Sequence, residues 1–113
     1  LKTGQALKLW QQVSLEQVLD DLPDLTLRQL TILLIVYLEP PHHTVKSLST
    51  RLNVTKPVVT RAIDTMGLMG LVKRRRSEED RRIVLIQRTV EGSMYLEKLG
   101  DIIVEKTRGV ENA

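Results

Sequence analysis

The stretch from Thr44 to Arg88, TVKSLSTRLNVTKPVVTRAIDTMGLMGLVKRRRSEEDRRIVLIQR, constrains the fold of this chain more than any other. Thr44 suits a helix N-cap, and Val45, Leu48, Ser49 and Leu52 behind it fall on one face of a short helix. Asn53-Val54 interrupts that pattern. Thr55 then offers a second cap, with Pro57 in the first turn, where a missing N–H does no harm. In this second helix Val59, Ala62, Ile63 and Met66 share one face, while Lys56, Pro57, Thr60, Arg61 and Asp64 lie on the other. Gly70 supplies a left-handed position that ends the helix, and Gly67 inside it weakens the last turn by up to ~1 kcal/mol. Residues 71–76 and 82–87 read as two strands around the polar tip 77–81, the second strand rich in β-branched residues. Two short helices joined by a tight turn, the second presenting basic and hydroxylic groups outward, predict a helix-turn-helix over 44–69 followed by a hairpin wing over 71–88.

The flanks are helical. Residues 4 to 22 carry apolar side chains at Leu7, Trp10, Leu15, Val18, Leu19 and Leu22. Ser14 and Gln17 form a capping-box signature, so this is one helix or two with a break near Ser14, stopped by Pro23. Thr26 and Gln29 form another such signature, opening a helix from Leu27 to Glu39 that is apolar nearly all round and is expected to be the buried central helix. Pro40 and Pro41 end it. His42 and His43 follow without Cys, Asp or Glu at ligand spacing, which predicts a solvated loop rather than a metal site. After the wing, Thr89 caps a last helix whose apolar residues, from Met94 to Val104, exceed what one stripe against a small core needs. The fold class is therefore mainly α with a small β-hairpin wing. A single domain over 1–113 is expected, in which 1–24 and 89–113 are dimerisation helices.

Charge distribution supports this division. Residues 44–88 hold eleven Lys or Arg against four Asp or Glu, whereas 1–43 and 89–113 each hold three against five. A basic centre between mildly acidic, apolar ends suits a middle that meets phosphate and ends that meet each other. Without cysteine there is no disulfide, zinc thiolate or thiol redox chemistry. No apolar run approaches ~20 residues and the first residues do not read as a signal peptide, so a cytoplasmic protein is expected. With no nucleophile arrangement, no Gly-rich phosphate loop and both histidines in one loop, the chain does not read as an enzyme, and no cofactor or metal is expected. Trp10, Tyr37 and Tyr95 sit on predicted helices at core-like spacing, unlike the exposed stacking platforms that bind single-stranded RNA.

Several motifs occur together: Leu25-Thr26 with Gln29, Val59-Thr60-Arg61 with Ile63-Asp64, Gly70-Leu71-Val72, Asp80-Arg81-Arg82, and Thr89 with Gly92. In this order and spacing the chain, over roughly Leu25 to Gly92, resembles the MarR family of bacterial transcription regulators. The departures are Gly67, where the family usually has an acidic residue, and Arg88, where it usually has an apolar one. The chain is also shorter than most members at both ends, which implies a reduced dimer interface or a trimmed chain.

The resemblance implies a cytoplasmic, homodimeric regulator of the repressor kind that binds double-stranded DNA. Its effector would be a small molecule that no residue here identifies. It also implies that Thr60 and Arg61 enter the major groove, that Arg82 enters the minor groove, and that Asp80 holds Arg82 in place. Side-chain chemistry agrees: arginine can bond guanine in two-pronged fashion, threonine can meet a thymine methyl, and an arginine suits the negative potential of a narrow minor groove. Lys56, Lys73, Arg74, Arg75, Arg76 and Arg81 are expected to contact phosphates, with Pro57 beside Lys56 on the recognition helix and Thr44 and Lys46 on the helix before the turn. The alternative is a winged-helix module that binds a protein, or that binds DNA architecturally without an effector.

Overall fold

The computed structural model describes residues 1–112. Its elements run α1 (Thr3–Leu19), α2 (Leu27–Leu38), β1 (His43–Thr44), α3 (Val45–Leu52), α4 (Lys56–Leu68), β2 (Val72–Arg76), β3 (Val84–Arg88) and α5 (Val90–Glu111). The chain divides into two compact units, Leu25–Ser93 and Leu1–Asp24 with Met94–Ala113. Among the described residues no helix is long and apolar enough to cross a membrane.

In the central unit α2 opens on the expected capping box. Thr26 Oγ1 accepts from the Gln29 N–H (3.1 Å) and Gln29 Oε1 accepts from the Thr26 N–H (2.8 Å). Two of the helix's otherwise unpaired amide donors are thereby satisfied. Its burial is one-sided rather than all-round: Ile32, Leu33 and Val36 are buried, whereas Leu27 and Leu38 are exposed. α3 is capped by Thr44, whose hydroxyl accepts from the Ser47 N–H (3.0 Å). It ends on Asn53 in the left-handed conformation (φ 54°), which Asn tolerates better than most residues. Thr55 occupies the cap position of α4, but its side chain makes no capping bond, contrary to expectation. Val59, Ala62, Ile63 and Met66 are all buried, as their shared face predicts, and at ~1.5–3 kcal/mol for burying each larger apolar side chain they anchor this helix. Gly70 takes φ 76°, and the Leu71 N–H closes back on the Met66 carbonyl (2.9 Å).

The wing is wider than a hairpin. β2 and β3 pair antiparallel from Val72↔Arg88 to Arg76↔Val84, and β1 adds a third strand on the far side of β3, His43 opposite Ile86. His43 is consequently not in a solvated loop. It is 7% exposed, and its Nε2–H donates to the Glu39 carbonyl (3.2 Å). A two-residue strand with no alternating pattern leaves too little sequence to announce itself, and only β3 makes His43 a strand residue.

In the other unit α1 is one unbroken helix, so Ser14–Gln17 opens nothing, and it ends at Leu19 rather than at Pro23. Val13 from α1 and Tyr95, Leu99, Ile102 and Val110 from α5 are buried. Two ion pairs connect these helices, Lys98 to Asp20 (2.7 Å) and Lys106 to Glu16 (3.0 Å). The Asp20 carboxyl is held below its ordinary range by the Lys98 bond, while burial raises the Tyr95 hydroxyl. Leu7, Trp10, Leu15, Val18 and Leu19, five of the six apolar positions noted in the sequence for this helix, remain exposed, together with Met94 and Val104 of α5.

Candidate nucleic-acid interface

The outward face of α4 follows from its inward one. With Val59, Ala62, Ile63 and Met66 buried, a 3.6-residue repeat turns Lys56, Pro57, Arg61 and Asp64 to solvent and leaves Thr60 at the boundary. The Arg61 guanidinium has only a long bond from Nε to the Pro57 carbonyl (3.4 Å), so it is free to extend to a ligand. On α3 Lys46 is exposed, and the N-cap Thr44 before it is half-buried with its side-chain oxygen committed to the cap.

The tip of the wing is built around Asp80. Its N–H donates to Ser77 Oγ (3.3 Å) and its carbonyl accepts from the Ile83 N–H (3.0 Å), which closes the turn. Asp80 Oδ1 accepts from both the backbone N–H (3.1 Å) and Nε (3.1 Å) of Arg82, and Oδ2 accepts from Nη2 (3.0 Å). This two-pronged pair fixes the guanidinium plane while leaving the Arg82 side chain 90% exposed. The arginine's bonds hold the Asp80 carboxyl below the usual carboxylate range, and the carboxylate in turn raises Arg82. The orienting role that the resemblance assigns to Asp80 has this geometry.

The remaining wing arginines are less free than a run of four basic residues suggests. Arg74 bridges back to Asp64 on α4, with the Thr60 carbonyl 3.5 Å from its Nη2. Arg75 pairs with Glu78 (2.9 Å) and Arg76 donates to the Arg81 carbonyl (2.9 Å). Asp64, noted in the sequence only as part of the outward face of α4, is therefore a strut between recognition helix and wing. All three arginines remain exposed, so their charge still contributes to a basic surface alongside Lys73 and Arg81.

Another set of residues holds these parts together, and apart from the expected Thr89 cap with Gly92 its contacts leave no local trace in the sequence. Glu39, the residue that caps the C-terminus of α2, receives both prongs of Arg51 from α3 (2.6 and 2.9 Å), which keep its carboxyl below the ordinary range. The Tyr37 hydroxyl accepts from the Thr89 N–H (2.8 Å) and lies 2.9 and 3.0 Å from the carbonyls of Thr89 and Leu71. Thr89 Oγ1 donates to the Gly70 carbonyl (2.6 Å) and accepts from the Gly92 N–H (3.0 Å). Gly92 is required here, since a Cβ would overlap the Tyr37 hydroxyl and the Leu71 carbonyl. Among the described residues no group of three His, Cys, Asp or Glu could hold a metal ion.

A helix-turn-helix with an exposed basic face, joined to a hairpin that presents an oriented arginine, defines the winged-helix class of proteins. Residues 25–84 match the model of the MarR family. The organic hydroperoxide resistance transcriptional regulator of Bacillus subtilis (strain 168) is 41% identical over 59 residues, 52% of this chain and 40% of that protein. The matched segment thus spans two fifths of that relative's length. A mutant of S. aureus MepR bound to an oligodeoxyribonucleotide superposes with a TM-score of 0.80 at 22% identity, covering 95% of this chain and 76% of that one. A mutant of MarR from E. coli complexed with operator DNA gives 0.69 at 22% identity, covering 93% and 69%. These likenesses are of fold. The chain belongs to the MarR family, whose members are transcription regulators and not enzymes.

Proposed function

We propose that the protein is a sequence-specific, homodimeric repressor acting on double-stranded DNA in the bacterial cytoplasm. Thr60 and Arg61 of α4 read the major groove, Lys56 beside them contacts phosphate, and Arg82 reads the minor groove from the wing. The observation that carries this reading is the Asp80–Arg82 pair, an almost fully exposed arginine held in a fixed plane by a carboxylate of its own turn. A guanidinium that only solvated the surface would gain little from such a clamp, because exposed ion pairs contribute ~0–1 kcal/mol. A pre-oriented one reaches a narrow groove with less entropy to lose. DNA is the ligand in the structures of both relatives named above.

Dimerisation through α1 and α5 is supported by the exposed Leu7, Trp10, Leu15, Val18, Leu19, Met94 and Val104, too many large apolar side chains on two helices to leave in water. Two copies would present two recognition helices to half-sites about ten base pairs apart. Trp10, the single tryptophan, is 52% exposed and reports on pairing. Its emission should shift to shorter wavelength as concentration rises, and Leu15→Glu should abolish the shift and halve the sedimenting mass; a wild-type monomer at all concentrations would refute the dimer. Selection of duplexes from a random pool tests the rest. A palindrome-like consensus is expected, whereas unselective, salt-dependent binding would replace the repressor by an architectural protein, and no binding by a protein-interaction module.

A further inference from the structure

Arg88 departs from the family pattern, and its side chain does not point into the basic surface. It turns inward to the C-terminus of α2, where Nε donates to the Val36 carbonyl (3.1 Å) and Nη2 to the Glu39 carbonyl (3.4 Å). Its guanidinium also lies 5.8 Å from the centroid of the Tyr37 ring, within cation–π range. The last carbonyls of a helix lack intrahelical donors and carry the negative end of its dipole, so a cation bonded to two of them is well placed. The donor comes from the final residue of β3, 52 and 49 positions away in sequence. The wing is therefore bolted to α2 by its own last side chain.

The same turn of α2 holds the helix-turn-helix. The Glu39 side chain takes both prongs of Arg51 on α3, while its carbonyl takes Arg88 from β3 and His43 from β1. One residue thus registers the helix that carries the turn and the strand that carries the wing. A further tie between the helix-turn-helix and the wing is the exposed Arg74–Asp64 pair, midway along β2 and open to screening by salt.

We propose that Arg88 is a positioning residue for DNA recognition: by capping the carbonyl end of α2 it sets the placement of the wing, and with it Arg82, relative to α4. This rests on the DNA-binding reading above. An apolar residue at this position could pack against Tyr37 but could not bond two carbonyls, so the wing would keep its strands and lose its registration. A lysine would restore the charge and offer one donor site in place of a planar fork.

The test uses the full chain with Arg88→Leu and Arg88→Lys, each alone and combined with Arg82→Ala. Binding is measured on the selected operator with A·T-rich and with G·C-rich flanks, over a range of salt. Arg88→Leu should weaken binding to the A·T-flanked operator by roughly three- to tenfold, the scale of losing one net hydrogen bond, and change the G·C-flanked affinity far less. The loss should vanish in the Arg82→Ala background, the salt slope should stay as in wild type, and Arg88→Lys should recover only part of the flank preference. A loss that adds in full to that of Arg82→Ala, a slope reduced by about one, or complete recovery by lysine would make Arg88 a phosphate contact and overturn the proposal.

A second measurement does not depend on DNA. In the free protein, residual dipolar couplings of α4 and of the wing should fit one orientation in wild type and require two in Arg88→Leu; one common orientation in both would also overturn it. Wild-type protein that binds no DNA would refute the DNA-binding reading, and the couplings would still decide whether Arg88 positions the wing.

Discussion

The recognition helix and the wing are held by opposite means. α4 buries Val59, Ala62, Ile63 and Met66, so its outward residues ride on a cylinder fixed by apolar contact. In the wing Val72 and Ile86 are buried at the base but the four basic residues after Val72 are exposed, so beyond that base the wing is held by polar contacts: pairing of β3 with β1, Arg74 to Asp64 and Arg88 to the end of α2, while Asp80 holds Arg82 within the tip. Apolar burial is nearly indifferent to salt, while exposed charge pairs are screened by it. Under the proposed function, salt should therefore loosen the wing before it loosens the helix assigned to the major groove.

This contrast can be broken by experiments of decreasing effect. Ile63→Ala should destabilise the fold by about 2–5 kcal/mol through lost burial and a cavity, read as a lower urea midpoint with unchanged slope. A cost below about 1 kcal/mol would show that α4 is not anchored as described. Next, Arg61→Ala should leave stability unchanged and cost about 1–3 kcal/mol on the selected operator, much less on random DNA. Equal losses on both would move Arg61 from base reading to phosphate contact.

Arg82→Ala should act on flanks rather than on the operator's centre, with roughly three- to tenfold weaker binding where they are A·T-rich. Insensitivity to flank composition would reduce the wing to a patch of charge. If Asp80 orients Arg82 as proposed, the effect should depend on its ionised form. Its folded-state pKa is lowered by Arg82, so the pair's contribution is present above the unfolded value of about 3.9 and disappears as pH falls through the lowered one. Flank preference should thus be constant from neutral to mildly acidic pH and be lost in Asp80→Asn at every pH; a decline already between pH 7 and 5 would mean another group titrates. The smallest effect belongs to Arg74→Gln, which should change stability by less than about 1 kcal/mol because the pair with Asp64 is exposed.

Much of the central unit was legible because its signals are local. A capping box spans four residues, as at Thr26 with Gln29, an N-cap is a single residue, as at Thr44, and an apolar face repeats within two turns, as in α4. The Asp80–Arg82 pair spans three residues and follows from the resemblance. Thr55 kept its cap position without the expected side-chain bond. The helix α1 was recognised from its apolar residues, but which of them face inward was not, since a helix that is apolar over a wide arc does not say which part meets the rest of the fold.

By itself the sequence determined the order of helices, the helix-turn-helix and the hairpin, because dihedral preference, capping and periodicity act over a few residues. Tertiary structure alone decided that His43 becomes a buried strand residue, that Arg74 braces the wing against α4 instead of standing free, and that Arg51 and Arg88 converge on the end of α2. Each of these joins groups at least ten positions apart, or depends on a partner strand elsewhere in the chain. A charged side chain finds such a partner only after the core has brought the two within reach, and no spacing rule along the chain encodes that distance.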